Sequence, residues 1–323
     1  MVSATQPIRG PMPHTPEWDA MRLTSFGASE AAAVCGLSKY DQPLNIYRRK
    51  IGEEVVEQND FMRFGHYWEP VGVKMYEHFK KVPVIAPQPA FIHPEHSFIH
   101  ATPDGLMPTL DDRPLDVKTT SWRRAGDFGE EGSDELPDEY VLQAHQQMLV
   151  MGTDKADMIV LLDCQNVKTF TVNRNDALVE MLVEAITELR QRIINRDPPE
   201  PHWEHPRTFD LVRSMHGLVE GKIIDVPAEA AAAWETSERL AAEIKALEEQ
   251  QEFYKAKAIH ALGDAAVGVL PGGQRELRRY QKSRTNLSLG KLPPGLQTSV
   301  APYTTLSTWT EVRAAKHNAK KGS

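Results

Sequence analysis

The stretch from His100 to Thr120 constrains this chain more than any other. It reads H-A-T-P-D-G-L-M and, a few residues later, P-L-D-V-K-T-T. Phe98 to Ala101 predicts a strand that delivers Asp104 at a Pro-Asp-Gly turn, and Pro114 to Thr119 predicts a second strand. Side chains alternate along a strand, so Asp116 and Lys118 share one face while Leu115 and Val117 share the other. Asp104, Asp116 and Lys118 can therefore converge on one point. Carboxylate oxygens are the hard ligands that Mg²⁺ or Mn²⁺ selects, and a nearby ammonium can orient a water or meet charge developing on phosphorus. The same residues also suit a polar turn followed by a solvated strand face. On this stretch alone both readings stand.

Neighbouring segments add candidates. Phe61 to Lys80 places Tyr67, Val71, Met75, Tyr76 and Phe79 at the spacing of an amphipathic helix, with Glu69 in its early turns. Glu69 is either an ordinary solvated acid or a third carboxylate facing the hairpin. Upstream, Trp18, Arg22, Ser29 and Glu30 lead into A-A-A-V-C-G-L-S-K-Y, where Ser29 is expected to cap a short helix over Glu30 to Val34. Helix-start N–H groups, a hydroxyl and a guanidinium suit a phosphate, and equally describe a plain cap beside a surface arginine. Asp138 to Gly152 predicts a helix capped by Asp138 and ended by Gly152, with Tyr140, Gln143, Gln147 and Val150 on one side; a polar face carries Gln143 and His145 either toward a site or into solvent. Ala156 to Leu162 and Val167 to Val172 predict a hairpin.

In order, the segments W-x3-R-x6-S-E, G-L-S-K-Y, F-G-x-x-x-E-P, A-T-P-D-G-L, D-V-K-T and M-G-T-D-K-A resemble the YqaJ-like viral recombinase family, within the PD-(D/E)XK nuclease superfamily. The resemblance runs from Trp18 to about Arg196 and implies an α/β, restriction-endonuclease-like core: a mixed sheet flanked by helices, with a C-terminal helical and short-β extension. It implies a Mg²⁺-dependent 5′→3′ exonuclease acting on duplex DNA ends, with Mn²⁺ able to substitute. Glu69, Asp104 and Asp116 would bind the metal with the Val117 carbonyl, Lys118 would assist the water, and Arg22 and Ser29 would grip the 5′ phosphate. Gln143 and His145 would support the site. Where relatives read Q-V-Q this chain reads Q-A-H-Q, so His145 stands in place of the second glutamine; Asp116 stands where relatives usually have glutamate. An endonuclease, or a non-catalytic DNA-end-binding scaffold, are the alternatives. A single-strand annealing protein and a homo-oligomer are the implied partners.

At 323 residues and 36.3 kDa the chain exceeds a single α/β core, so a nuclease core over 1–210 and an extension over 211–323 are expected. Net charge is −8, but residues 271–323 hold ten Lys or Arg against two Asp or Glu, a net of +8. Arg275, Arg278, Arg279, Lys282 and Arg284 are its densest run; they either contact phosphates or balance the acidic body. Cys35 and Cys164 sit in no ligand-spaced pair, which excludes a zinc ribbon or a cysteine-held iron–sulfur cluster. A reduced, cytoplasmic protein is expected, with no signal peptide and no apolar run long enough to cross a bilayer. His93, His96 and His100 read as solvated surface residues. After the hinge R-D-P-P-E-P-H-W, residues 228–262 predict a long helix with Leu240, Ile244, Leu247, Gln251, Tyr254 and Ala258 at alternating four and three spacing, a coiled-coil seam. Short strands over 266–270 and 277–281 are expected beyond it, with a turn at Gly272-Gly273.

Overall fold

A computed structural model describes residues 6–163, 166–215, 219–287 and 304–316, without the side chains of 281–287 and 304–316. Cys164 and the side chains of Lys282 and Arg284 lie outside the described residues. The chain divides into two compact units, Met1–Leu218 and Val219–Ser323.

The first unit runs β1 (Ile8–Arg9), α1 (Pro16–Thr24), β2 (Phe26–Gly27), α2 (Ala31–Val34), α3 (Pro43–Lys50), α4 (Asp60–Lys80), β3 (Phe91–Ile92), β4 (Ile99–Ala101), β5 (Gly105–Met107), β6 (Arg113–Thr120), α5 (Asp138–Met151), β7 (Lys155–Leu162), β8 (Asn166–Asn173), α6 (Asp176–Asn195) and α7 (Thr208–Met215). Its main sheet is mixed, in the order β5-β6-β7-β8, with β6 and β7 parallel and both outer pairs antiparallel. Alternation along the two central strands makes it two-sided. Leu115, Val117, Ile159 and Leu161 pack with Val73 and Tyr76 of α4, while Met158, Val160 and Leu162 pack with Ala144 and Met148 of α5. The expected mixed sheet flanked by helices is therefore present as a helix–sheet–helix sandwich.

A second, smaller sheet in the order β1-β3-β4-β2 changes one expectation. The strand before Asp104 is β4, and it pairs with β3 and β2 in this small sheet rather than with the Asp116 strand. The hairpin partner of β6 is β5, which starts one residue after Asp104, with Gly105 opposite Leu115. The Pro-Asp-Gly segment is thus the point where the chain crosses from one sheet to the other. His100, on β4, is 2% exposed and its Nδ1 lies 2.9 Å from Ser25 Oγ. This corrects its reading as a solvated residue: β4 is buried on both faces, and burial lowers the His100 pKa to about 4. His93 and His96 are half-buried and stack on each other.

Helix α4 occupies the expected span, and of its expected seam Tyr76 is buried and Met75 partly so, while the rest is not. Tyr67 is 75% exposed, and Val71 and Phe79 also face solvent, whereas Gly72, Val73 and Tyr76 are buried. Tyr76 OH donates to Asp157 Oδ2 and Arg113 pairs with Oδ1 of the same carboxylate at 3.2 Å, a polar anchor at the end of the sheet opposite Lys118. The caps differ as well. Ser29 lies in a 3₁₀ turn and is exposed; Glu30 closes that turn by accepting from Gly27 N–H at 3.0 Å. Pro137, not Asp138, precedes α5 at its N-cap, and Gly152 ends α5 in the left-handed conformation as expected.

The second unit holds α8 (Ala228–Leu262), β9 (Val267–Val269), β10 (Arg275–Leu287) and β11 (Thr304–Lys316), with the three strands in an antiparallel sheet in the order β11-β10-β9. The long helix matches its predicted bounds, and Gly272 and Gly273 both take positive φ in the turn before β10. Strand β11 was not foreseen from sequence. Among the described residues no helix is long and apolar enough to cross a membrane.

Candidate active site

A cleft of about 1170 Å³ in the first unit is lined by Arg22, Ser29, Glu69, Asp104, Asp116, Val117, Lys118 and Gln143. Four helices and strands, a 3₁₀ turn and the Pro-Asp-Gly segment supply them, and the local reasons differ. Helix α4 crosses β6 at Gly72, where a Cβ would overlap Val117 Cγ1, so contact is tight enough to set Glu69, one turn earlier, over the end of the hairpin. Asp104 is fixed by its own carboxylate: Oδ2 accepts from Val117 N–H at 2.6 Å, while Asp104 N–H donates to Leu115 O at 3.0 Å. Asp116, 3% exposed, projects to the α5 side of the sheet. There Gln143 Nε2 and Gln147 Nε2 both donate to its Oδ1 at 2.9 Å. Its Oδ2 lies 2.5 Å from Lys118 Nζ and receives no aligned hydrogen bond.

The electrostatics follow from crowding acids in a dry place. Burial pushes the Asp104 carboxyl well above the usual carboxylate range, and the charges of Asp116 and Glu69 push it further than Lys118 and the Val117 N–H can offset. For Lys118, burial works against the ammonium, but Asp116 and Asp104 outweigh it and the pKa is raised. The lysine is therefore a cation at neutral pH. Glu69 Oε1 lies 2.9 Å from His66 Nδ1. As the side chains stand, no three His, Cys, Asp or Glu among the described residues are drawn together closely enough to hold an ion.

Arg22 and Ser29 form the far wall of the cleft. The Arg22 guanidinium stacks on Trp18 at 4.6 Å, which holds its planar fork in place. Beside it Lys50 Nζ donates to the Arg22 carbonyl at 2.7 Å and pairs with Glu30 at 2.8 Å, so α1, α3 and the 3₁₀ turn are locked together under the guanidinium.

His145 does not reach this cleft. Its Nδ1 donates to Val141 O at 2.7 Å and its Nε2 accepts from Asn175 N–H at 3.1 Å, so both ring nitrogens are used and the ring is neutral. Burial lowers its pKa accordingly. The second glutamine at Asp116 is Gln147. Sequence reading assigned that position to His145, yet Gln143 and Gln147 are four residues apart and share a helix face, a spacing that was available to find it. Gln146 points the other way, donating to Phe26 O at 2.9 Å and His100 O at 3.0 Å, and ties α5 to the small sheet. Helix α5 is thus a largely buried helix whose Gln143, Gln146 and Gln147 amide nitrogens all donate, not one with a solvated face.

An α/β sandwich with an acidic, lysine-bearing cleft at the edge of a mixed sheet is the class these features define. The family model of the YqaJ-like viral recombinase domain matches residues 17–155. An uncharacterized protein of Acanthamoeba polyphaga mimivirus is 27% identical over 153 residues, 44% of this chain; the match spans 28% of that relative's length. Among solved structures, an alkaline exonuclease from Laribacter hongkongensis is similar at 20% identity and a TM-score of 0.46, over 57% of this chain and 94% of its own. A phage related exonuclease from Haemophilus somnus is similar at 14% identity and a TM-score of 0.41, over 53% of this chain and 94% of its own.

Proposed function

We propose that this chain is a Mg²⁺-dependent 5′→3′ exonuclease of duplex DNA that leaves 3′ single strands for an annealing protein, and that it works in the cytoplasm of a phage's or prophage's bacterial host. The observation that carries the reading is one cleft lined both by Glu69, Asp104, Asp116 and Lys118 and by Arg22 and Ser29. The match of residues 17–155 to the YqaJ-like family model supports it independently of the geometry.

The donor set suits a hard divalent cation. Three carboxylates and the Val117 carbonyl supply oxygen only, and the burial and carboxylate repulsion that together raise the Asp104 pKa are the imbalance that a cation relieves. Bound there, Mg²⁺ supplies positive charge to the scissile phosphate and the leaving 3′ oxygen. The remaining tasks fall to this chain. Gln143 and Gln147 fix Asp116 so that its Oδ2 faces Lys118. Lys118 orients the attacking water for in-line approach and carries part of the charge on the phosphorus oxygens. Arg22 and Ser29 grip the terminal 5′ phosphate, which requires an end and so sets direction.

Digestion of linear, nicked and covalently closed duplexes, labelled separately at each 5′ and 3′ end, tests the reading. Expected is mononucleotide release from 5′-phosphorylated linear ends, slower release from 5′-hydroxyl ends, an intact closed circle and no reaction in chelator. Cleavage of the closed circle would make the protein an endonuclease, and DNA-end binding without cleavage in Mg²⁺ would make it a scaffold.

A further inference from the structure

Helix α8 leaves a run of its apolar residues in solvent within its own unit. Over its 35 residues, about 52 Å at the rise of an α-helix, Leu240, Ile244, Leu247 and Tyr254 are 47%, 57%, 63% and 60% exposed. They form one seam. Leu240, Leu247 and Tyr254 take heptad position d, and Ile244, Gln251 and Ala258 take position a. The residues flanking the seam are not mixed along its length. Glu243 and Glu248 border its first half and Lys255 and Lys257 its second, with Gln250 between them.

That segregation selects an orientation. In a parallel pair each g residue meets the e residue of the partner's next heptad, which sets Glu243 against the partner's Glu248, two like charges in register. In an antiparallel pair g meets g and e meets e. We propose that α8 pairs with α8 of a second copy of this chain as an antiparallel two-stranded coiled coil. Leu240 then packs opposite the partner's Ala258, Ile244 opposite the partner's Tyr254, and Leu247 opposite the partner's Gln251. The alignment that makes these core layers also sets Glu243 opposite the partner's Lys257, Glu248 opposite the partner's Lys255, and Gln250 opposite its own copy. Core register and charge register are separate patterns, and one alignment satisfies both. Ser237 and Ala261 add a further small-residue layer at each end, and the polar Gln251 at an a position penalises slipped registers. The inference stands apart from the nuclease reading, since no residue of the cleft takes part.

Charge reversal on the full-length chain, read by sedimentation equilibrium without DNA, tests it. Glu243→Lys with Glu248→Lys should weaken self-association at least about tenfold, because four like-charge contacts replace four opposite ones in each dimer. Adding Lys255→Glu and Lys257→Glu should restore it to within about threefold. Unchanged association in the first variant overturns the proposal, and so does no recovery in the second. Orientation is read by a short bis-maleimide in a Cys35→Ser, Cys164→Ser background. Covalent dimer is expected when Glu243→Cys and Lys257→Cys chains are mixed, and not from either alone. Dimer from Glu243→Cys alone means parallel pairing, and absence of a mixed dimer means that the seam is covered by something else; both refute it.

Discussion

Asp116 shows how much of the site rests on single hydrogen bonds. Its carboxylate is held by two amides on one oxygen and by an ammonium on the other, so its orientation is set by α5 as much as by its own strand. Lys118→Ala should lower the cleavage rate by about 10²–10⁴-fold, the usual scale for a positioned proton-transfer or charge-bearing group, while DNA-end binding measured by anisotropy persists. Gln147→Leu removes one of the two amides and should lower activity about tenfold without loss of fold, as judged by circular dichroism. Asp104 makes a pH-dependent prediction. Its folded pKa is raised, so it binds a proton more tightly folded than unfolded; the stability it contributes is complete below about pH 4 and is lost as pH climbs from there through the raised value. In chelator the melting temperature should therefore fall over that window, Asp104→Asn should flatten the fall, and Mg²⁺ should reverse it in the unsubstituted protein. A melting curve identical in the Asn variant would show that Asp104 is not the strained acid.

At the scale of elements, the seating of α4 on β6 places Glu69. The buried residues of α4 are Gly72, Val73 and Tyr76, with Trp68 and Met75 packed beside them. A glycine carries no hydropathy signal, so periodicity found Met75 and Tyr76 but also drew Tyr67, Val71 and Phe79 to the inner face. Gly72→Ala should cost about 1–3 kcal/mol in urea unfolding, because Val117 is buried and has nowhere to move, and should lower activity by displacing Glu69. Val117→Ala in the same chain should recover much of both losses; if it does not, the contact is not what seats the helix. Element spans themselves were legible: the two strands after α5, the helix over 228–262 and the Gly272-Gly273 turn follow from local periodicity and turn chemistry. Pairing was not. Strand β4 reads like half of a hairpin with β6, but its residues pair with β2, 73 positions away in the case of Phe26 and Ile99.

For the whole molecule, charge is divided as the units are. The basic residues concentrate after residue 270, in the second unit, while the cleft belongs wholly to the first. A chain ending at Leu218 should keep the end-directed cleavage pattern and lose the α8 pairing. If Arg275, Arg278 and Arg279 contact phosphates, its logarithm of DNA affinity against that of salt should also have a slope shallower by two to three, since each lost contact removes nearly one released counterion. An unchanged slope would leave that run as a counterweight to the acidic body.

Sequence by itself determined the identities at the cleft, the order of the elements and the chemistry the side chains can perform, because motif spacing and period-two or period-3.6 patterns are local properties of the chain. Only the tertiary structure decided which residues meet. It brought Gln147 rather than His145 to Asp116, buried His100, left Tyr67, Val71 and Phe79 of α4 in solvent and split the Asp104 and Asp116 strands between two sheets. Each of those outcomes depends on contacts between segments distant in sequence, and no local pattern encodes which distant partner a buried face will find.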